Sequence, residues 1–327
     1  MKLNNIRGNE SVLVIVLAET RAYQHTFELF KKNLLQVIDA DLCLCVARNE
    51  REDIDNPFYQ NAKYIWQYDE MDDWGDAYDD MQRIKGLNAN WRKLLGIKEQ
   101  WLGGVRGDGE QPGSAGILLF FRLFLKESII RNDILDEYDR FIITRSDFVH
   151  RVPHVPLQFL DKEYIWIPDG EDYGGFTDRH IVVQRDDLMD VISISDEIIY
   201  DPEKLFSKMI NVSDWNLEKY IKFSFTEKNL ISKIRRFPYT MYSVRPVGGH
   251  TSWSEGYYDD QLGYYIKYKS EYENYLIAAR LVSEKKGWNE SKIRRFFTIK
   301  NKQGYDWKYA RRRILQIIKQ LVFQKKI

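Results

Sequence analysis

The sequence predicts an α/β protein built on a mostly parallel sheet flanked by helices. Three observations carry this. Short apolar runs rich in β-branched and aromatic residues recur at 11–17, 41–47, 64–68, 139–144, 164–168 and 181–183. Segments with apolar residues at helical spacing separate several of them, and strands that alternate with helices form parallel sheets. The first run is apolar almost throughout rather than at every second position, which marks a strand covered on both faces.

The elements follow in order. The run at 11–17 (SVLVIVL) ends at the polar Glu19, Thr20 and Arg21. Phe27, Phe30, Leu34, Leu35 and Ile38 then recur on one helical face. The strand at 41–47 carries Cys43 and Cys45, which share a face because they lie two residues apart. They read as small buried apolar side chains, and two cysteines make neither a disulfide framework nor a four-cysteine zinc site. A short strand at 64–68 precedes an acidic segment, 69–80, with seven acids and no base. This segment and 91–95 read as helical or loop-like. Residues 103–113 are a glycine-rich break. Its Gly107, Asp108 and Gly109 do not directly follow a buried strand, so they fail the dinucleotide-binding pattern. They read as a surface loop or as one that closes over a substrate. Ser114 is the expected N-cap of a helix through Leu118, Phe121, Leu125 and Ile129. The strand at 139–144 runs into Arg145, Ser146 and Asp147, and the strand at 164–168 into 169–175 (DGEDYGG). A strand at 181–183 and a helix near 187–192 follow.

Length and charge bound the function. A chain of 327 residues with 44% hydrophobic content forms one large domain with an appendage, or two modest ones. Lys plus Arg and Asp plus Glu both number 49, a neutral balance that argues against a dedicated nucleic-acid binder. There is no GxxxxGK[ST], HExxH or GxSxG pattern. No apolar run approaches a membrane span, and none before Glu19 and Arg21 is long enough for a secretory signal. The expected setting is a reducing cytosol. The charge is unevenly spread, with fourteen Lys or Arg against Glu290 and Asp306 over 285–327. Ile314, Ile317, Ile318, Leu321 and Val322 share a helical face there. Such a basic amphipathic helix either lies on an anionic membrane surface or docks onto the main domain.

In open parallel sheets, ligands sit beyond the carboxyl ends of the strands. The residues to examine are therefore Glu19, Arg21, Arg145, Asp147, Asp169, Glu171 and Asp172. The sharpest signal is 141–147 (FIITRSD), where an apolar strand delivers a carboxylate at its end. A carboxylate so placed can hold Mg²⁺ or Mn²⁺, and the metal would neutralise a leaving diphosphate. Arg145 adds positive charge for phosphate. In the alternative, Asp147 caps a turn and Arg145 pairs with it.

Three segments together resemble a glycosyltransferase of the GT-A type, of the sort that builds bacterial surface polysaccharides or large-virus glycans. They are 14–21 (VIVLAETR) with 27–35 (FELFKKNLL), 139–147 (DRFIITRSD), and 164–179 (YIWIPDGEDYGGFTDR). The second resembles a DxD segment in which Arg145 replaces the first aspartate. The resemblance implies a GT-A-like, Rossmann-type catalytic domain over 1–265. Its nucleotide-sugar half would cover about 1–150 and its acceptor half 151–265, with a basic, mainly helical extension over 266–327. It implies a nucleoside-diphosphate sugar donor, a glycan or glycolipid acceptor, and a Mn²⁺ or Mg²⁺ cofactor. Ala18, Glu19, Thr20, Arg21, Arg145, Ser146 and Asp147 would grip the donor, and Asp147 and His250 the metal. Gly174, Gly175 and Trp253 would meet the acceptor, with Asp178, Asp172 or Glu171 as the base. Residues 307–327 would touch an anionic membrane peripherally. On this reading Asp147→Ala removes activity and leaves the fold intact. Two other readings stand beside it: a non-catalytic GT-A-like protein, and a membrane- or RNA-binding module built on the basic end.

Overall fold

The computed structural model describes residues 10–48, 55–98, 100–106, 113–248, 256–283 and 287–302. Its main sheet has seven strands: β1 (Val12–Ala18), β2 (Asp41–Arg48), β3 (Tyr64–Asp69), β4 (Arg140–Thr144), β6 (Ile165–Pro168), β7 (Ile181–Gln184) and β8 (Ile234–Phe237). They lie in the order β3-β2-β1-β4-β7-β6-β8. All pairs are parallel except those of β7, which runs against both β4 and β6. A second, antiparallel sheet joins β5 (Phe148–Val149), β9 (Tyr242–Arg245), β10 (Tyr257–Asp259) and β11 (Tyr264–Ile266) in the order β10-β11-β9-β5.

The apolar run of β1 explains the layering. Leu13, Ile15 and Leu17 join the core on one face, and Val12, Val14 and Val16 join the core on the other. Every residue of β1 is buried. Cys43 and Cys45 both lie on the Leu13 face and are free, buried thiols. Helix Ala115–Arg131 covers that face and is apolar around most of its circumference, from Leu119 through Phe120, Phe121 and Leu123 to Leu125. Ser114 stands at its N-cap position without a side-chain capping bond. The acidic segment forms helix Trp74–Ile84, capped by Asp73. Arg92 answers its charge locally, 3.1 Å from Asp76 and 2.6 Å from Asp79.

Strands β1 to β3 proceed outward on one side of β1, and β4 then pairs on its other side. This reversal makes the carboxyl ends of β1 and β4 the switch point of the sheet, where a crevice opens. The register pairs Val16 with Thr144, so the chain after Ala18 and the chain after Thr144 leave side by side. The latter runs at once into β5, whose partner β9 brings Arg245 beside Asp147; the Val244 amide donates to the Asp147 carbonyl at 2.9 Å.

Beyond residue 265, the described helices pack against the rest of the chain. Helix Lys269–Ser283 inserts Glu271, which accepts from the Ser243 amide at 2.7 Å. Helix Glu290–Lys302 packs back as well: Lys300 Nζ lies 3.1 Å from Asp169 Oδ2 and also bonds the Asp169 carbonyl, with both side chains buried. Trp288 donates to the Pro153 carbonyl at 2.7 Å. The described part of the basic extension therefore docks. Residues 303–327, with the stripe from Ile314 to Val322, lie outside the described residues.

Three histidines are fully buried behind the end of β4. His154 Nε2 lies 3.2 Å from His180 Nε2, and His180 Nδ1 lies 3.0 Å from Thr144 Oγ1. His150 stands edge-on to Phe30, and neither of its ring nitrogens has a hydrogen-bond partner among the described residues. Burial pushes His150 down to about 3 and His154 down to about 4, and holds His180 well below its usual range. All three are neutral in the fold. The unfolded chain takes up protons first as pH falls, because its histidines titrate near 6.5. The stability these groups carry is therefore complete above about pH 6.5 and declines as pH falls toward about 4. Urea titrations at pH 8 and pH 5 should show a lower midpoint at pH 5, and His150→Leu should narrow the difference.

Lys300→Met removes a buried cation from beside Asp169, and breaking such a pair costs about 3–5 kcal/mol. A thermal melt should show the loss directly.

Candidate active site

The loop after β1 is held in an uncommon shape. Ala18 has φ 73° and Ala22 φ 61°, left-handed values at two non-glycine residues that cost on the order of 1 kcal/mol each or more. Side chains from elsewhere secure it. Ser146 Oγ donates to the carbonyls of Glu19 at 2.8 Å and Arg21 at 3.2 Å. Asn56 Nδ2 donates to Thr20 Oγ1 at 2.8 Å. A cleft of about 310 Å³, counting its open mouth, lies between this loop and the end of β4. Ala18, Glu19, Arg21, Arg145, Ser146 and Asp147 all line it, together with Ser114 at the start of helix Ala115–Arg131. Of the seven residues expected to grip a donor, Thr20 alone is absent from the lining, because its hydroxyl serves Asn56.

Asp147 lies at the centre and is only 1% exposed. Its Oδ1 accepts from Arg145 Nε at 3.2 Å. Its Oδ2 accepts from Arg145 Nη2 at 3.0 Å and from Arg245 Nη1 at 2.5 Å. Burial alone would raise its pKa, but Arg145, Arg245, Arg21 and Lys267 together hold it well below the usual carboxylate range. Arg21 pairs with Glu19 at the mouth. Burial lowers Arg21 to about 10. Burial, then Arg245 and Arg145, lower Lys267 to about 7.

Among the described residues, this donor set does not fit a divalent cation. Both Asp147 oxygens already accept from guanidinium groups. At about 5 Å and an effective dielectric of about 20, two like unit charges repel by roughly 3 kcal/mol, and a dication doubles this. Among the described residues, no three His, Cys, Asp or Glu side chains are grouped to hold a metal. His250, expected as the second ligand, and Trp253, expected against the acceptor, lie outside the described residues.

The expected acceptor side is a denser polar cluster. Asp178 is buried, with carboxylate oxygens 3.9 Å from Arg145 Nη1 and 3.9 Å from Arg179 Nε. Arg179 pairs with Glu271. Asp172 accepts from Arg236 Nη1 at 2.7 Å. Glu171 accepts from the hydroxyls of Tyr173 and Ser270. The glycine pair faces protein. A Cβ on Gly175 would stand 1.8 Å from the Glu218 carbonyl oxygen, and one on Gly174 would stand 3.0 Å from Lys219 Cε. Their lack of side chains lets helix Leu217–Glu227 approach, and the Phe176 amide donates to the Glu218 carbonyl at 3.0 Å. Beneath Asp178, the fully buried Arg122 donates to its carbonyl at 3.4 Å, while Arg122 Nε and Nη1 have no hydrogen-bond partner among the described residues.

Four residues of this site were not singled out by sequence: Arg245, Lys267, Glu271 and Glu218. Arg245 ends β9, so the strand-end rule that picks out Asp147 reaches it once β9 is recognised. Glu218 opens a helix whose preceding turn has no strong pattern. Burial and the charge of Asp178 raise Glu218 to about 7.

No protein-family model matches the chain, and no curated protein matches it. Among solved structures, it is similar to the apo form of mouse xyloside xylosyltransferase 1, at 10% identity and a TM-score of 0.37. That match covers 69% of this chain and 84% of the other. A likeness this distant carries no argument about chemistry.

Asp147→Ala strands Arg245 in the interior, so it should cost about 3–5 kcal/mol of stability rather than spare the fold. In the double variant with Arg245→Met, the loss should fall well short of the sum of the two single losses. Gly175→Ala should cost about 2–3 kcal/mol through overpacking. Chemical denaturation of the four variants checks all three statements.

Proposed function

We propose that the chain is a glycosyltransferase, moving a sugar from a nucleoside-diphosphate donor to the hydroxyl of a glycan or lipid-linked acceptor. The observation that carries this reading is the convergence of Arg21, Arg145, Arg245 and Lys267 at the switch point of the sheet, next to the buried Asp178 and the half-buried Glu218. The resemblance of 14–21 with 27–35, 139–147 and 164–179 to GT-A enzymes supports it from the sequence side.

The chemistry divides between the two groups. The bond between the anomeric carbon and the terminal phosphate oxygen breaks, and its electron pair stays on the diphosphate. Fixed cations at the strand ends stabilise that added negative charge without having to reorganise. The acceptor oxygen forms the new bond to carbon and gives up its proton. In an inverting reaction, Glu218 is the group suited to take it: a carboxylate poised near 7 is a stronger base than an ordinary one and is still largely available at neutral pH. Burial and the charge of Asp178 keep it so poised, and Asp178 links it to Arg145 on the donor side.

No helix among the described residues is long and apolar enough to cross a membrane. The basic stretch 307–327 would bring the protein to an anionic membrane surface, where lipid-linked acceptors reside. Vesicle co-sedimentation of the full chain should show binding that rises with the fraction of anionic lipid.

Melting the protein with UDP-, GDP- and dTDP-sugars should identify the nucleotide by a rise in Tm. Glu218→Gln should lower kcat by about 100-fold or more, with the KM for donor changed by less than about threefold. The rate should rise with pH through about 7 in the parent protein and lose that limb in the variant. Stabilisation by none of the sugar nucleotides, together with an absence of transfer, would remove the proposal.

A further inference from the structure

We infer that Tyr173 is the platform on which a sugar ring of the acceptor stacks, a specificity-determining residue set beside Glu218. The inference rests on the glycosyltransferase reading for the identity of the ligand, and it names the group that orients it.

Tyr173 is 48% exposed, although an aromatic ring gains from burial. The backbone that presents it is strained. Glu171 has φ 54° and Tyr173 φ 40°, and a bulky residue in this region is an outlier. Such strain persists only where the surroundings over-determine it, and here they do. The Tyr173 hydroxyl donates to Glu171, which also accepts from Ser270. Asn216 Nδ2 donates to the Tyr173 carbonyl at 3.1 Å, while Asn216 Oδ1 caps helix Leu217–Glu227 by accepting from the Lys219 amide at 2.8 Å. The Arg179 guanidinium lies over the ring, 5.9 Å from its centroid, and 4.5 Å from that of Tyr268. The ring is thus held at its hydroxyl and at its backbone, yet about half of the residue stays open.

Its place in the fold points to the ligand. The loop that carries Tyr173 and the turn that carries Glu218 are bonded at two points, through Asn216 and through the Phe176 amide on the Glu218 carbonyl. Glu171 and Arg179, two groups that the Tyr173 side chain meets, both act on the charge of Glu218. The half-buried Asn216, Glu218 and Lys219 border the ring. An open aromatic face with a polar border suits a ligand that has an apolar face and a hydroxylated rim, which describes a pyranose. A hydrocarbon chain would leave the polar border unmatched. A nucleobase is flat as well, but the cleft lined by Ala18, Arg21, Arg145 and Asp147 does not include Tyr173. Stacking would hold the acceptor by its ring and bring one hydroxyl toward Glu218.

Methyl glycopyranosides are the probe, since they carry the ring without base or phosphate. In the full chain labelled with fluorotyrosine, the fluorine signal missing from Tyr173→Phe is that of Tyr173. Titration with the methyl pyranosides of glucose, galactose and mannose should shift this signal for at least one of them. Sorbitol, which has the hydroxyls and no ring, should leave it in place. Tyr173→Leu, checked for folding by circular dichroism, should raise the acceptor KM about tenfold or more and change kcat by less than about threefold, while Tyr173→Phe should keep the parent KM. A Tyr173 signal that moves for no pyranoside, or only for a nucleoside diphosphate, would overturn the inference and leave the transferase reading standing. So would an unchanged acceptor KM in folded Tyr173→Leu. Pyranoside binding at Tyr173 in a protein that no sugar nucleotide stabilises would uphold the platform and remove the transferase reading.

Discussion

The burial of one carboxylate between two guanidinium groups governs this molecule. Asp147 sits where the large parallel sheet hands the chain to the small antiparallel one, and Arg245 reaches it from across that seam. A lone acid there would be costly to bury, and so would a lone arginine. Together they fasten the two sheets at the point where the cleft opens. Structure and chemistry are therefore inseparable at this residue: the contact that positions the cations is also one that joins the layers.

Around that contact, each element supplies one simple thing. Strand β1 brings a loop held in a left-handed shape at Ala18 and Ala22, and Ser146 secures the loop from below. Strand β4 brings Arg145 and Asp147. The amino end of helix Leu217–Glu227 brings Glu218 close, which the bare Cα of Gly175 permits. Helix Lys269–Ser283 brings Glu271, which satisfies Arg179 and ties down Ser243 on β9. The side formed by the ends of β1, β4 and β9 is thus rich in cations and the far side in acids, with Asp178 and Arg145 at the border. A reaction that expels an anion on one side and sheds a proton on the other suits such a division.

Much of the central sheet was legible in the sequence because its signal is physical and local. A run such as 12–18 has no polar alternation to compete with the strand reading, and its burial on both faces follows. The fold class, β1 to β4, β6, β7 and the long helix after Ser114 were all within reach. Strands β8 to β11 were not, since IRRF, YSVR, YYD and YYI are too short and too polar to stand out, and their pairing partners lie far away in sequence. The same distance hid Arg245, Lys267 and Glu271. It also reversed the expectation for Asp147→Ala. From sequence Asp147 is an acid at a strand tip that either holds a metal or pairs with Arg145, and only the pairing of β5 with β9 reveals that Arg245 holds it as well. The glycines 174 and 175 misled for a related reason: a residue without a side chain signals a close approach, but not by whom.

The clasp between Lys300 and Asp169 has an effect on the order of assembly. Asp169 ends β6, near the middle of the chain, and its cation arrives with the last described helix. A nascent protein emerging from the ribosome lacks this contact until about residue 300 has been synthesised and released. The central sheet can condense early, but this corner cannot be sealed until late in translation. A growing chain halted before that helix would therefore display an incompletely sealed edge to chaperones and proteases.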